Sequence, residues 1–497
     1  MFRKLIIVAL IAAFAAPLSA LAQGKKDSVV MAMALEPPGL DPTIAAASAI
    51  AEVTLYNIYE TLTKINEDGS VSPLLAESWK ASPDLKTYTF KLRKGVKFQN
   101  GEPFNSGAVK FSFERNAATT STNKDKSLFQ SFESVTAPDA DTVVIALKYS
   151  EPNLPFLMGQ ATAAIVEPKS VATNVTQPVG TGPYQLGAWA KGSSITLNKW
   201  ADYRNAAAIK LAKVTIRFIS DPAAQVAALL SGDVDAFPRV AAARSLAQFK
   251  ADPRFNVQIG GSKAKTIVSI NERHKPLDDV RVRRAILAAI DRKAMIDGAV
   301  DGFGTPIGSF YVPGSLGYVD TTGINPYDPE KAKKLLAEAG VKTPLELSLK
   351  LPPPSYARQG GEILAAQLAK VGINAKIENV EWAQWLSQVF TPSGPHNYDL
   401  TIVSHVEPFD LVKMTEADYY FGYNSNAFNK LYKSIVTTPD EAGRAKLLGD
   451  AQRMLATDAV AGYLFQPQLI TITNKKLKGV WKEVPQFEND FSTWHWE

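Results

Sequence analysis

Between Leu345 and Glu407 the spacing of hydrophobic residues switches repeatedly between a period of two and one near four, which predicts alternating strands and helices. Leu345 to Leu351 alternates as a strand. Ile363, Leu364, Leu368 and Val371 share one helical face that ends at Gly372, and Ile373, Ala375 and Ile377 then alternate again. A short helix is predicted around Trp382 to Phe390, and Asp399 to Val403 reads as a buried parallel strand. The whole stretch is a βαβαβ unit. Elsewhere Asp328 is a good N-cap with Pro329 at the first helical position; Ala332, Leu335, Leu336 and Ala339 share a face, and Gly340 stops the helix. Asp221-Pro222 repeats that device after the alternating Val214, Ile216 and Phe218, so an α/β unit is expected in the earlier half too. Val282, Ile286 and Ile290 stand at helical spacing within 278–297. The chain shows no short internal repeat of the kind that marks solenoids or propellers.

The N-terminus carries a different pattern. Arg3-Lys4 precedes an apolar run from Leu5 to Ala16, then Pro17 and the small-residue site Ala20-Leu21-Ala22. This predicts a secretory signal peptide over residues 1–22, cleaved before Gln23. The run is well short of the ~20 residues a permanent membrane helix needs. With no cysteine in the chain, neither a disulfide framework nor a lipid-modified N-terminal cysteine is expected, and the mature protein should be soluble, monomeric and periplasmic.

Composition narrows the partners. The chain has 497 residues, 46% hydrophobic and 21% charged, enough for two or three domains. Its 54 basic and 49 acidic side chains leave a formal +5, and the basic ones are scattered, which argues against nucleic acid. Removing Arg3 and Lys4 brings the charge to about +3. No Gly-x-Ser-x-Gly elbow, His-Glu-x-x-His or complete phosphate loop is present. Gly180-Thr-Gly-Pro-Tyr184 lacks the Lys-Ser/Thr that grips phosphate and magnesium, and reads as a tight turn leading into a strand. The histidines 274, 396, 405 and 495 do not stand at metal-ligand spacing. No catalytic residue, cofactor or metal is expected.

Leu75-Ala-Glu-Ser-Trp79, Ser82-Pro-Asp-Leu-Lys-Thr-Tyr-Thr-Phe90, Leu92-Arg-Lys-Gly-Val96, Phe98 and Asn100-Gly-Glu-Pro-Phe104 closely resemble the solute-binding proteins of the peptide/nickel/opine importers, solute-binding protein family 5. Gly180–Tyr184, Leu229-Leu-Ser-Gly-Asp-Val-Asp235, Asn271 with Pro276-Leu-Asp-Asp, Arg281-Val-Arg-Arg-Ala-Ile286 and Tyr327-Asp-Pro-Glu-Lys-Ala332 extend the match over essentially the whole mature chain. The resemblance implies an α/β, two-lobed periplasmic binding protein of the cluster C type, with an extra subdomain in lobe I and a hinge of two crossing segments. Lobe I is placed at 23–60, 175–275 and 470–497, the extra subdomain at 61–174 and lobe II at 276–469. It also implies an ABC permease and ATPase as partners and a small solute as ligand: peptide by family default, or an opine, a sugar derivative or a metal chelate. An accessory of a chemoreceptor and a secreted hydrolase stay open as alternatives.

Ligands of open α/β sheets bind beyond the carboxyl ends of strands, which makes Ser404, His405, Glu407 and Asp410 candidate ligand-binding residues. Tyr423 and Asn424 follow soon after, and Trp382 and Trp385 open the helix behind the preceding strand. Peptide-binding relatives have a longer Gly-Trp-rich stretch in this loop, with an Asp that pairs with the peptide's amino terminus. Here the loop is shorter and has His405 about where a Trp is expected, so a free α-amino group need not be the feature read. Exported protein should give the intact mass of a chain beginning at Gln23; a retained N-terminus or tight membrane association would contradict the reading.

Overall fold

A computed structural model describes residues 26–241, 243–392, 394–438 and 440–497. The predicted signal peptide lies outside the described residues. Two large sheets organise the chain. The first has seven strands in the order Phe255–Gly260, Leu469–Asn474, Ala236–Phe237, Ser28–Met33, Lys213–Phe218, Ser194–Lys199 and Tyr184–Ala190. The second has six: Gly304–Pro306, Ala461–Pro467, Lys265–Ile270, Leu400–His405, Leu345–Leu351 and Ile373–Asn379. A separate four-stranded antiparallel sheet, Ala76–Ala81, Thr87–Leu92, Thr142–Leu147 and Phe132–Asp139, carries the long family-like segment.

The chain passes between the large sheets twice. It leaves the first after Gly260 and enters the second at Lys265, then leaves the second after Pro467 and rejoins the first at Leu469. Strand Lys265–Ile270, assigned from sequence to the first lobe, therefore pairs within the second sheet, against Leu400–His405 on one side and Ala461–Pro467 on the other. Fold class thus matches expectation: two α/β lobes with a smaller sheet attached. Among the described residues, no helix is long and apolar enough to cross a membrane.

Local chemistry explains the elements. The βαβαβ unit is present as strand Leu345–Leu351, helix Ser355–Ala369, strand Ile373–Asn379, a helical turn from Trp382 to Phe390, and strand Leu400–His405. Its strands run parallel, and Leu364 and Leu368 pack on Leu349, Leu351, Leu400 and Ile402. The Asp328 and Asp221 side chains accept from the Lys331 and Ala224 amides, so both proline-led helices begin as predicted. The stretch 278–297 is divided: Val280–Ala288 ends, and Asp291 caps a second helix, Arg292–Ala299, by accepting from the Ala294 amide. A capping carboxylate here outweighs the continuous periodicity.

The small sheet buries an aromatic core. Phe113, Phe129 and Phe132 meet at ring-centroid distances of 5.6–5.9 Å, beside Phe90, Val143 and Ile145. Tyr88, Phe90 and Leu92 face inward, and Trp79 packs half-buried on the edge.

Gly180 and Gly182 owe their place to backbone contact. The Gly182 amide donates to Ile58 O at 2.9 Å, and a Cβ on Gly180 would stand 1.9 Å from that same oxygen. Gly180→Ala should cost about 1–3 kcal/mol by overpacking. Gly323→Ala, where a Cβ meets open space, should stay within ~0.5 kcal/mol. Denaturant melts of the two variants check the contrast.

Candidate functional site

The site is built at the carboxyl end of strand Leu400–His405. Register places Lys265 directly opposite His405 on the neighbouring antiparallel strand. The following loop folds back over that pair. Lys265, with its side chain 1% exposed, donates to the Glu407 carbonyl and to Asp410 Oδ1 at 2.5 Å, and its ammonium lies 4.5 Å from the centroid of the Phe310 ring. His405 Nε2 shares a 2.7 Å hydrogen bond with the Tyr420 hydroxyl, and its Nδ1 lies 3.5 Å from Asp410 Oδ2.

The same loop reaches the small sheet's domain. The Glu407 carboxylate is bonded to the Lys124 ammonium. Phe409 meets Phe156 edge to face at 5.0 Å, and the Lys413 ammonium donates to Ser127 Oγ at 3.0 Å. Between these contacts lies a cavity walled by Asp125, Tyr149, Glu151 and Gln160 on one side and Glu407, Val412 and Tyr432 on the other. The two units are therefore in contact across the crevice.

Electrostatics here are set by pairing. Burial pushes the Glu407 and Asp410 carboxyls up, but Lys124 beside the first and Lys265 beside the second outweigh it and hold both below the usual carboxylate range. Burial pulls Lys124 down, and Glu407 more than compensates, leaving it above the ordinary lysine value. His405, Glu407 and Asp410 offer ligand atoms within 4.8 Å of one another, a spacing a metal ion could use. Each carboxylate already holds an ammonium, so a dication would have to displace two lysines. The donor set does not fit a resident metal.

The sequence-predicted residues divide. Ser404, His405, Glu407 and Asp410 come together; Ser404 lies half-buried in the strand, its amide donating to the Tyr356 hydroxyl. Trp385 is buried in the second lobe, its indole N–H donating to Thr401 Oγ1 at 3.0 Å, and Trp382 packs edge-on against it at 5.5 Å. Tyr423 gives its hydroxyl to Asp458 at 2.7 Å within the same core, and Asn424 is exposed. His405 instead sits among Phe310, Tyr419, Tyr420 and Phe421, and the ammonium groups that meet the loop's acids come from Lys124 and Lys265. Neither lysine had a readable signal, since each meets the loop across at least 142 residues of sequence.

Two lobes joined by a double crossing, with a loop of one reaching a crevice-side surface of the other, define a hinged binding protein. The family model for bacterial extracellular solute-binding proteins, family 5 Middle, matches residues 70–410, and the chain belongs to that family. The glutathione-binding protein GsiB of Escherichia coli strain K12 is 31% identical over 367 residues, covering 73% of this chain and 71% of that protein. The binding protein AgaA of A. tumefaciens R10, solved with agropinic acid, is 26% identical with a TM-score of 0.87, covering 95% of this chain and 99% of AgaA. The Helicobacter pylori periplasmic binding protein DppA, solved with the peptide STSA, shares the fold at a TM-score of 0.87 over 95% and 98% of the two chains, at 24% identity.

Removing one partner of a desolvated pair leaves a bare charge behind. Lys265→Met should destabilise the protein by about 3 kcal/mol. Because the Asp410 carboxyl is depressed in the folded state, its contribution is present above the ordinary aspartate value and lost as pH falls through the lower folded value. In wild type, part of the stability should therefore disappear on acidification below about pH 4. Lys265→Met should show a weaker acid loss, read from melts between pH 2 and pH 7.

Proposed function

We propose that this protein is the periplasmic receptor of an ATP-driven importer, that it captures a small amino-acid-derived carboxylate by hinge closure, and that the closed form delivers the solute to a membrane permease. One observation carries the reading: the loop from His405 to Lys413 is fixed to its own lobe by Lys265 and to the facing unit through Lys124, Ser127 and Phe156. A loop shared in this way senses whether the lobes are together. A ligand that bridges both units then stabilises the closed arrangement by its differential affinity.

Two relatives support that ligand class. GsiB is named for glutathione, and AgaA was solved with agropinic acid, and both support a small carboxylate-bearing solute. Catalysis on ester, peptide or phosphate substrates is not part of this reading, and no nucleophile with an adjacent base was legible in the sequence.

Calorimetry on ligand-stripped mature protein should show saturable binding of glutathione, a dipeptide or an opine, with a negative heat-capacity change. Phe409→Ala and Glu407→Gln should each weaken it roughly tenfold, about 1.4 kcal/mol, and Glu407→Gln should also lower the melting temperature, because it leaves the Lys124 ammonium without its carboxylate. Trp79→Ala, on the small sheet, should lower the melting temperature and leave affinity intact. Wild-type affinity in both loop variants would place the site elsewhere. Saturable hydrolysis abolished by a single substitution would make the receptor reading wrong.

A further inference from the structure

The C-terminal segment lies across the hinge. After strand Leu477–Lys478, the chain runs beside the first crossing: the Val484 amide donates to Gly261 O at 3.1 Å, and the Gly261 amide donates to Glu483 Oε2 at 2.7 Å. Gly260 touches it so closely that a Cβ would stand 1.7 Å from Lys482 O. On its other side, the Lys482 amide donates to Glu67 Oε1 at 2.7 Å. This segment contacts both the crossing and the turn of the hairpin formed by strands Thr63–Ile65 and Val71–Pro73.

Glu488, within this segment, is buried at 3% exposure, and among the described residues neither of its carboxyl oxygens has a hydrogen-bond partner. It faces a cavity shared with Arg239, Trp481, Asn489, Asp490 and Trp494, with room for about one water molecule. The surrounding charges pair off without it. Arg239 is bonded to Glu52 at 2.6 Å and to Asn489 Oδ1 at 3.0 Å, and Lys64 is bonded to Asp490. The Tyr56 hydroxyl, also within reach of this field, donates to Gly159 O at 2.7 Å. An ionised Glu488 would be a surplus buried charge with no protein donor among the described residues, which is unfavourable.

We propose that Glu488 is a protonation lock on the hinge: as a neutral acid it lets segment 480–490 lie against the crossing at 260–262, and its ionisation releases that segment. Burial, with Asp490 adding to it, raises the carboxyl well above the ordinary glutamate value despite Arg239 and Lys64. The folded form therefore holds a proton that an opened form gives up. A raised folded value means the contribution is fully present below the ordinary glutamate range and is lost as pH rises toward the folded value. Through that window the opening equilibrium shifts toward open by up to about tenfold per pH unit, the limit for release of one proton.

Hydrogen exchange of the mature full-length protein between pH 5 and pH 9, corrected for intrinsic exchange, reads this directly. Amides of Gly261 and Val484 should lose protection progressively with pH, while those of the remote helix Val280–Ala288 hold theirs. Glu488→Gln, neutral at every pH, should keep hinge protection at pH 9. Wild-type hinge amides with constant protection would overturn the proposal without any variant. So would Glu488→Gln, folded by its thermal melt, losing protection as wild type does. Neither result bears on ligand binding, so failure here is distinct from failure of the receptor reading.

Discussion

The antiparallel pairing that sets Lys265 opposite His405 is the constraint on which the candidate site depends. Lys265 begins the strand that receives the chain from the first lobe, and His405 ends the strand that opens onto the crevice. Their register brings the hinge crossing and the loop 406–413 to the same end of the second sheet's two central strands. Because Lys265 is buried and bonded to both the Glu407 backbone and the Asp410 side chain, the loop is held in one shape by the strand nearest the hinge.

Charge is handled differently in the loop and beneath the hinge. In the loop, two acids are matched by two lysines, one from the same sheet and one from the facing unit. Beneath the hinge, Arg239 and Lys64 are matched by Glu52 and Asp490, and Glu488 is left to a proton. Arg239 also sits two residues after the short strand Ala236–Phe237 with a φ of 58°, a left-handed conformation uncommon outside glycine. Its ion pair and its hydrogen bond to Asn489 hold that strained backbone, which ties the first lobe's carboxyl-end loop to the C-terminal segment.

Many residues that carry the family resemblance turn out to be structural. Arg283 is buried and donates to the carbonyls of Leu277, Asp278, Asp458 and Ala459, binding a helix to the end of another. Asp235 accepts from the Val30 amide and the Lys26 ammonium, closing the edge of the first sheet's central strand. Such groups persist in a fold because leaving their buried partners unsatisfied is costly. They identify the scaffold while lying away from the loop where recognition is placed.

By itself the sequence determined the elements whose signals are local: the alternating strands around 345–405, the Asp-Pro helix starts at 221 and 328, the glycine turn at 180–184, and the loop from Ser404 to Asp410 as the carboxyl end of a strand. Each depends on residues a few positions apart, so period and capping chemistry suffice. Tertiary structure decided what those residues meet. It turned Trp385 and Tyr423 into the second lobe's core, gave His405 to Tyr420, and brought Lys124 and Lys265 to the loop's acids from 283 and 145 positions away. It also laid the C-terminal segment on the hinge. Long-range charge pairing leaves no periodic trace in a sequence, because the ammonium and the carboxylate are related only by how the sheets are ordered and how the chain crosses between them.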